Sequence, residues 1–163
     1  MHDLLLSFGN WLENTPLDQL LDSMPGLGPF LTAAHFFGFF LVIGTTVAVD
    51  LRILGLAPRR QSASELAEQL FPWTWTGLGL VFLTGFLMFV QDATTFLNSS
   101  FFLQKLFVAL LGTIFVFLIQ WNVRKWERPP AAASLAKVMA TISLLLWLGT
   151  ILLAAHVPLQ TCE

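Results

Sequence analysis

Tyrosine is absent, cysteine occurs once, and only 11% of the residues are charged. The lone Cys162 excludes an intrachain disulfide framework and every metal motif built on several cysteines. Eight Lys and Arg against ten Asp and Glu leave a formal net charge of -2. The basic side chains sit at the ends of apolar runs, so no basic groove for a nucleic acid can be assembled. No stretch pairs a nucleophile with a base, cradles a phosphate or sets two carboxylates in apolar surroundings. What the chain has instead is apolar length. Of its 163 residues 56% are hydrophobic, and the mean hydropathy of +0.74 exceeds what a soluble core of this size buries, so it reads as an integral membrane protein.

The run from Pro29 to Val49 carries no formal charge. About 20 residues at 1.5 Å each cover the roughly 30 Å of a bilayer's hydrocarbon core, so this is a membrane span, ending near Leu56. A second span runs from Phe71 to Gln91 and opens on the aromatic belt Phe71-Pro72-Trp73-Thr74-Trp75. A third covers Phe101 to about Trp126. The fourth starts near Ser134 to Lys137 and reaches His156 and Val157, where Pro158 is expected to stop it. Between them lie Pro58-Arg59-Arg60 with a polar connection helical around Glu65 to Leu70, a loop from Ala93 to Ser100, and the breaker Arg128-Pro129-Pro130.

Residues 1–28 lack the basic n-region of a secretory signal and read as interfacial. Leu4, Leu5, Phe8, Trp11 and Leu12 share one helical face, and Thr15-Pro16 caps and starts a second short helix before Pro25-Gly26. The expected fold is therefore all-α: a four-transmembrane-helix up-and-down bundle over residues 29–163, preceded by two interfacial amphipathic helices. Gly38, Gly44, Gly79, Gly85, Gly112 and Gly149 are expected at helix contacts. Seven of the eight basic residues, Arg52, Arg59, Arg60, Arg124, Lys125, Arg128 and Lys137, fall beside the first or third connection. The positive-inside rule then puts both termini outside, which in a bacterial inner membrane is the periplasm.

Two histidines lie in spans that cross in opposite directions. His35 is about 17 residues from Arg52 and His156 about 19 from Lys137, or roughly 25 and 28 Å along straight helices, so both imidazoles fall at one depth in the outer leaflet. That pair is the arrangement that would hold a b-type haem edge-on, with one axial nitrogen from each. Gly38, one turn on, would let a porphyrin approach the helix. Lys105, the one basic residue on that side, is a natural partner for a propionate. Phe36, Phe37, Phe39, Phe86, Phe89, Phe102 and Trp147 are candidate walls. Met88 on the second span reaches a similar depth and is an alternative ligand, and with Cys162 it would complete a soft copper site. Plainer roles stand beside these: a helix-bridging or headgroup histidine, a snorkelling lysine, a core methionine. Asp50 and Arg52 are two positions apart, on different helical faces, and read as structural, with a proton or quinone role as the alternative.

At His35-x-x-Gly38, Gly44 and Asp50-Leu-Arg52-x-Leu-Gly55 the chain resembles an uncharacterised family of small four-span bacterial inner-membrane proteins. Phe82-Leu-Thr-Gly85-Phe-Leu and Asn98-x-x-Phe101-x-x-x-Lys105 carry the same likeness, which extends over about residues 29 to 157. That family is distantly similar to the copper-resistance membrane domain CopD and to cytochrome b bundles. Where some such bundles have a further histidine, Gln120-Trp121-Asn122 stands here. Together these readings imply a haem b subunit passing electrons between a redox partner protein and the quinone pool. The alternatives are a copper-handling transporter, or an accessory subunit of a larger complex or homo-oligomer.

Overall fold

The computed structural model describes residues 2–57, 61–126 and 130–160. Arg59, Arg60, Arg128 and Cys162 lie outside them. Seven helices follow one another among the described residues: α1 His2–Leu12, α2 Pro16–Asp22, α3 Leu27–Leu54, α4 Ala63–Gln91, α5 Ala93–Asn98, α6 Ser100–Trp126 and α7 Pro130–Gln160. Four of them, α3, α4, α6 and the 133–157 part of α7, are long and apolar enough to cross a membrane. Their apolar side chains, among them Phe30, Phe40, Leu83, Phe107 and Leu145, are exposed all round the bundle, as lipid contact requires.

Helix ends follow caps more than prolines. Ser62 accepts from the Glu65 N–H while Glu65 accepts from the Ser62 N–H, a capping box that starts α4 and makes the polar connection part of the second span. Pro72 then lies inside α4, and α7 begins at Pro130 and continues past Pro158. The loop expected over Ala93 to Ser100 is a short helix, α5, flanked by Asp92 and Ser99. Thr15 does cap α2, with Pro16 at its first position.

Helix α3 packs most extensively on α4, and α6 on α7; α3 against α7 joins the two pairs, while α4 and α6 meet more sparsely. The α3–α4 approach is set by Gly38 and Gly77. A Cβ on Gly77 would stand 2.8 Å from the Gly38 carbonyl oxygen, and one on Gly38 3.0 Å from the Gly77 oxygen. Gly44 and Gly79, expected at contacts, face open space instead. At the end opposite Arg52 and Arg124, α1 and α2 fold over α4 and α5 through Leu12, Leu21, Val90 and Ala93. The Glu13 carboxylate fastens this lid, accepting from the Thr94 N–H (2.7 Å) and hydroxyl (2.8 Å). Leu4, Phe8, Trp11 and Leu20 remain exposed on it.

Candidate functional site

Two groups of polar side chains lie within the bundle, one at each end of α3. Near the end of α3 that carries Arg52, Thr46, Val49 and Asp50 form a buried stripe, because positions three and four apart share a helical face. Asp50 has no exposed surface, and neither carboxylate oxygen has a hydrogen-bond partner. Arg52 is no counter-ion for it: Nε and Nη2 both donate to the Gln61 carbonyl, at 2.7 and 2.5 Å, tying the end of α3 to the start of α4. Asp50 borders a small cavity shared with Thr45, Thr46 and Thr74, closed by Phe71 and Ile119, with room for roughly one water molecule. On its other side it adjoins Ser143 of α7, whose buried hydroxyl is placed to stabilise the carboxylate without closing a short hydrogen bond to it.

Apolar layers flank the cavity along the bundle axis. Toward the Arg52 end lie Ala63, Ala67, Ile119 and Val123. Toward the other end lie Val42, Leu78, Val116 and Trp147, with the Trp147 ring seated on Gly112, where a Cβ would stand 3.3 Å from it. A carboxylate between two apolar layers, with Ser143 as its one polar neighbour across the helix contact, has lost its water for little return, which is the costly way to bury a charge.

The second group surrounds His35. Thr84 Oγ1 donates to the Leu80 carbonyl at 2.6 Å, so toward His35 Nδ1, 3.0 Å away, it can only accept. His35 thus carries its hydrogen on Nδ1 and leaves Nε2 free. His156 ends in the same tautomer, because Nδ1 donates to the Leu152 carbonyl at 2.7 Å. Yet the two rings have different surroundings. His35 is half-buried against α4, and Gly85 lies against it, with room for a Cβ only 3.0 Å from Cε1. His156 is exposed, stacked on Phe101 of α6 at 5.3 Å, and the buried stripe of α7 runs instead through Ser143, Trp147, Thr150 and Val157. No hydrogen bond or ring contact joins the two imidazoles among the described residues.

Lys105 holds Nζ 4.9 Å from the Phe102 ring centroid, is close enough to act on His35 electrostatically, and has no acidic partner among the described residues. Met88 is half-buried and hydrogen-bonds to neither histidine. The face of Gly38 reserved for a flat macrocycle is filled by Gly77, Leu80 and Val81 of α4. Phe36, Phe37 and Phe86 point outward and wall nothing. With that cradle closed and His156 turned out, these residues do not fit a haem held edge-on between His35 and His156. Among the described residues no group of three or more His, Cys, Asp or Glu is placed to share a metal ion. Asp50, given a structural role with a proton or quinone role as the alternative, is a charge at a span end and so looks topological; what the sequence adds is Thr45-Thr46 one turn before it and a lone Thr74 on α4.

Fold and site define a class: an all-α, multi-pass membrane bundle with a carboxylate buried between its helices. Residues 8–157 match the model of a family of unknown function, DUF6644, and the chain belongs to that family. Nothing matches among curated proteins or solved structures.

Proposed function

We propose that this chain is an ion-handling membrane subunit that takes up and releases a proton in its core at Asp50. One observation carries the reading: a carboxylate with no exposed surface lies inside the bundle between apolar layers, beside Ser143 and a water-sized, mostly apolar cavity whose lining includes Thr45, Thr46 and Thr74. Ser143 and Thr74 would orient the group, and the two apolar layers would keep bulk water from short-circuiting it. Infrared difference spectra of the purified chain across a pH titration test this directly. The carboxylic C=O band of a buried acid should titrate and should vanish in Asp50→Asn. Spectra of that variant indistinguishable from the wild type would overturn the assignment.

The setting belongs to the same proposal. Arg52, Arg124, Lys125 and Lys137 gather at one end, which by the positive-inside rule faces the cytoplasm of a bacterial inner membrane, leaving both termini in the periplasm. A second reading keeps the electron-transfer role suggested by the CopD-like and cytochrome b-like resemblance, with a quinone or redox protein as partner. It draws on the Nε2 that His35 and His156 each leave free, as separate ligands and not as a pair spanning one haem. A Soret band, or stoichiometric copper, that disappears in His35→Ala and His156→Ala would displace the proton reading.

A further inference from the structure

Resting on the assignment of Asp50 as the working carboxylate, we propose that Ser143 of α7 is its positioning residue, a hydroxyl that donates to the ionised carboxylate and reverses its hydrogen bond when the proton returns. The first reason is where the hydrogen of Ser143 does not go. Every threonine of the four spanning helices sets its hydroxyl on the carbonyl four residues before it. That is the ordinary resort of a helical hydroxyl with no water to turn to. Ser143 has no exposed surface, yet it makes no such bond to the Met139 carbonyl. Its hydrogen is uncommitted, and the polar group it adjoins is Asp50.

The second reason is the scarcity of other donors. Thr46 Oγ1 donates to the Val42 carbonyl at 2.6 Å and Thr45 Oγ1 to the Leu41 carbonyl at 2.7 Å. Thr74 Oγ1 spends its hydrogen on Thr45 Oγ1 (2.8 Å) or the Leu70 carbonyl (3.1 Å). A hydroxyl has one hydrogen, so these three have only lone pairs left and cannot support a negative charge. Arg52 is turned to Gln61, and no charged side chain acts on Asp50 from α4, α6 or α7 among the described residues. The Trp147 N–H is also without a partner, but its indole lies one turn further from the basic end, against Gly112 of α6.

The two protonation states need opposite polarity at this one contact. An ionised carboxylate only accepts, so the Ser143 hydroxyl points across to α3 in a charge-assisted bond. A carboxylic acid has its own hydrogen to place: it donates to Ser143 Oγ, whose hydrogen then turns back to the Met139 carbonyl as the threonines' do. No covalent bond changes other than the O–H of Asp50. Since α3 against α7 joins the two helix pairs, the reversal carries the charge state of Asp50 to the α6–α7 half of the bundle.

Infrared difference spectra of the full purified chain across a pH titration test this. Ser143→Ala removes the donor that serves the ionised form, so the carboxylic band should appear about one pH unit higher, a tenfold change, and at higher frequency. Ser143→Cys in a Cys162→Ser background keeps the shape with a weaker donor. Its S–H stretch should shift as Asp50 titrates and stand still once Asp50→Asn is added. This variant decides alone if Ser143→Ala fails to fold. An unmoved carboxylic band in Ser143→Ala, or an S–H stretch indifferent to pH, overturns the positioning role; if the wild-type band still titrates, the Asp50 reading survives without it. A wild-type chain in which no carboxylic band titrates removes both.

Discussion

Asp50 stands where a carboxylate is least welcome, and a side chain that costs stability invites an isosteric exchange. Asp50→Asn keeps the volume and removes a charge that Arg52 does not compensate and that the Ser143 hydroxyl supports only in part. It is expected to raise the stability of the purified chain by about 1–3 kcal/mol, read from its unfolding midpoint in detergent, while proton uptake is lost. A midpoint below the wild type would show that the carboxylate is a structural asset. The lid carries a second acid in the wrong place. Asp18 on α2 is only 8% exposed; burial, then the Asp22 and Glu13 carboxylates, push its carboxyl above the usual range. A raised carboxyl favours the folded state while protonated, so its contribution is present at low pH and fades as pH rises through the folded value. Asp18→Asn should therefore raise the midpoint at neutral pH and flatten its decline between mildly acidic and neutral buffers. His35 and Lys105 were legible in the sequence as charges out of place. Asp50 was legible only as the alternative to a structural role, because two positions from Arg52 it resembled half of a topological signal, and only the side-chain directions separate them.

Among the elements, the four spans could be read from hydropathy because lipid imposes their length and composition. Their ends could not, since prolines were weighed as stops while the termini are set by capping: the Ser62–Glu65 box starts α4 nine residues before Pro72. Glycine contacts were half legible. Gly38 and Gly112 are at interfaces, but Gly77, the partner that lets α3 and α4 touch backbone to backbone, has the same composition signal as Gly79, which faces open space. Facing, not residue type, separates them. Gly77→Ala would drive a methyl to 2.8 Å from the Gly38 oxygen and 2.9 Å from Leu41 Cβ, forcing the helices apart at about 1–3 kcal/mol. Gly79→Ala meets nothing within 4 Å and gains helix propensity, up to about 1 kcal/mol. Unfolding midpoints of the two variants should thus shift in opposite directions; a shared direction would place the α3–α4 contact elsewhere on these helices.

For the whole molecule, the pairs α3–α4 and α6–α7 close around the Asp50 cavity, and what holds them in register is apolar packing. The one ion pair among the described residues, Arg124 with Glu68, joins α6 to α4 at the basic end, but both side chains are at least half exposed. Exposed pairs contribute at most about 1 kcal/mol and are screened by salt, so this bridge does little for the fold. Its location matters more than its strength, because it belongs to the cluster of Arg52, Arg124, Lys125 and Lys137 that the membrane's charge asymmetry acts on during insertion. Orientation decides which compartment lies nearer Asp50, which is about one turn from the basic end of α3 and far from the His35 end. In a Cys162→Ser background, Asn98→Cys and Ser134→Cys place single thiols at exposed positions of opposite ends. A membrane-impermeant maleimide applied to intact cells should label the first at once and the second only after permeabilisation. Labelling in the reverse order would turn the bundle over and make the periplasm, not the cytoplasm, the compartment nearer Asp50.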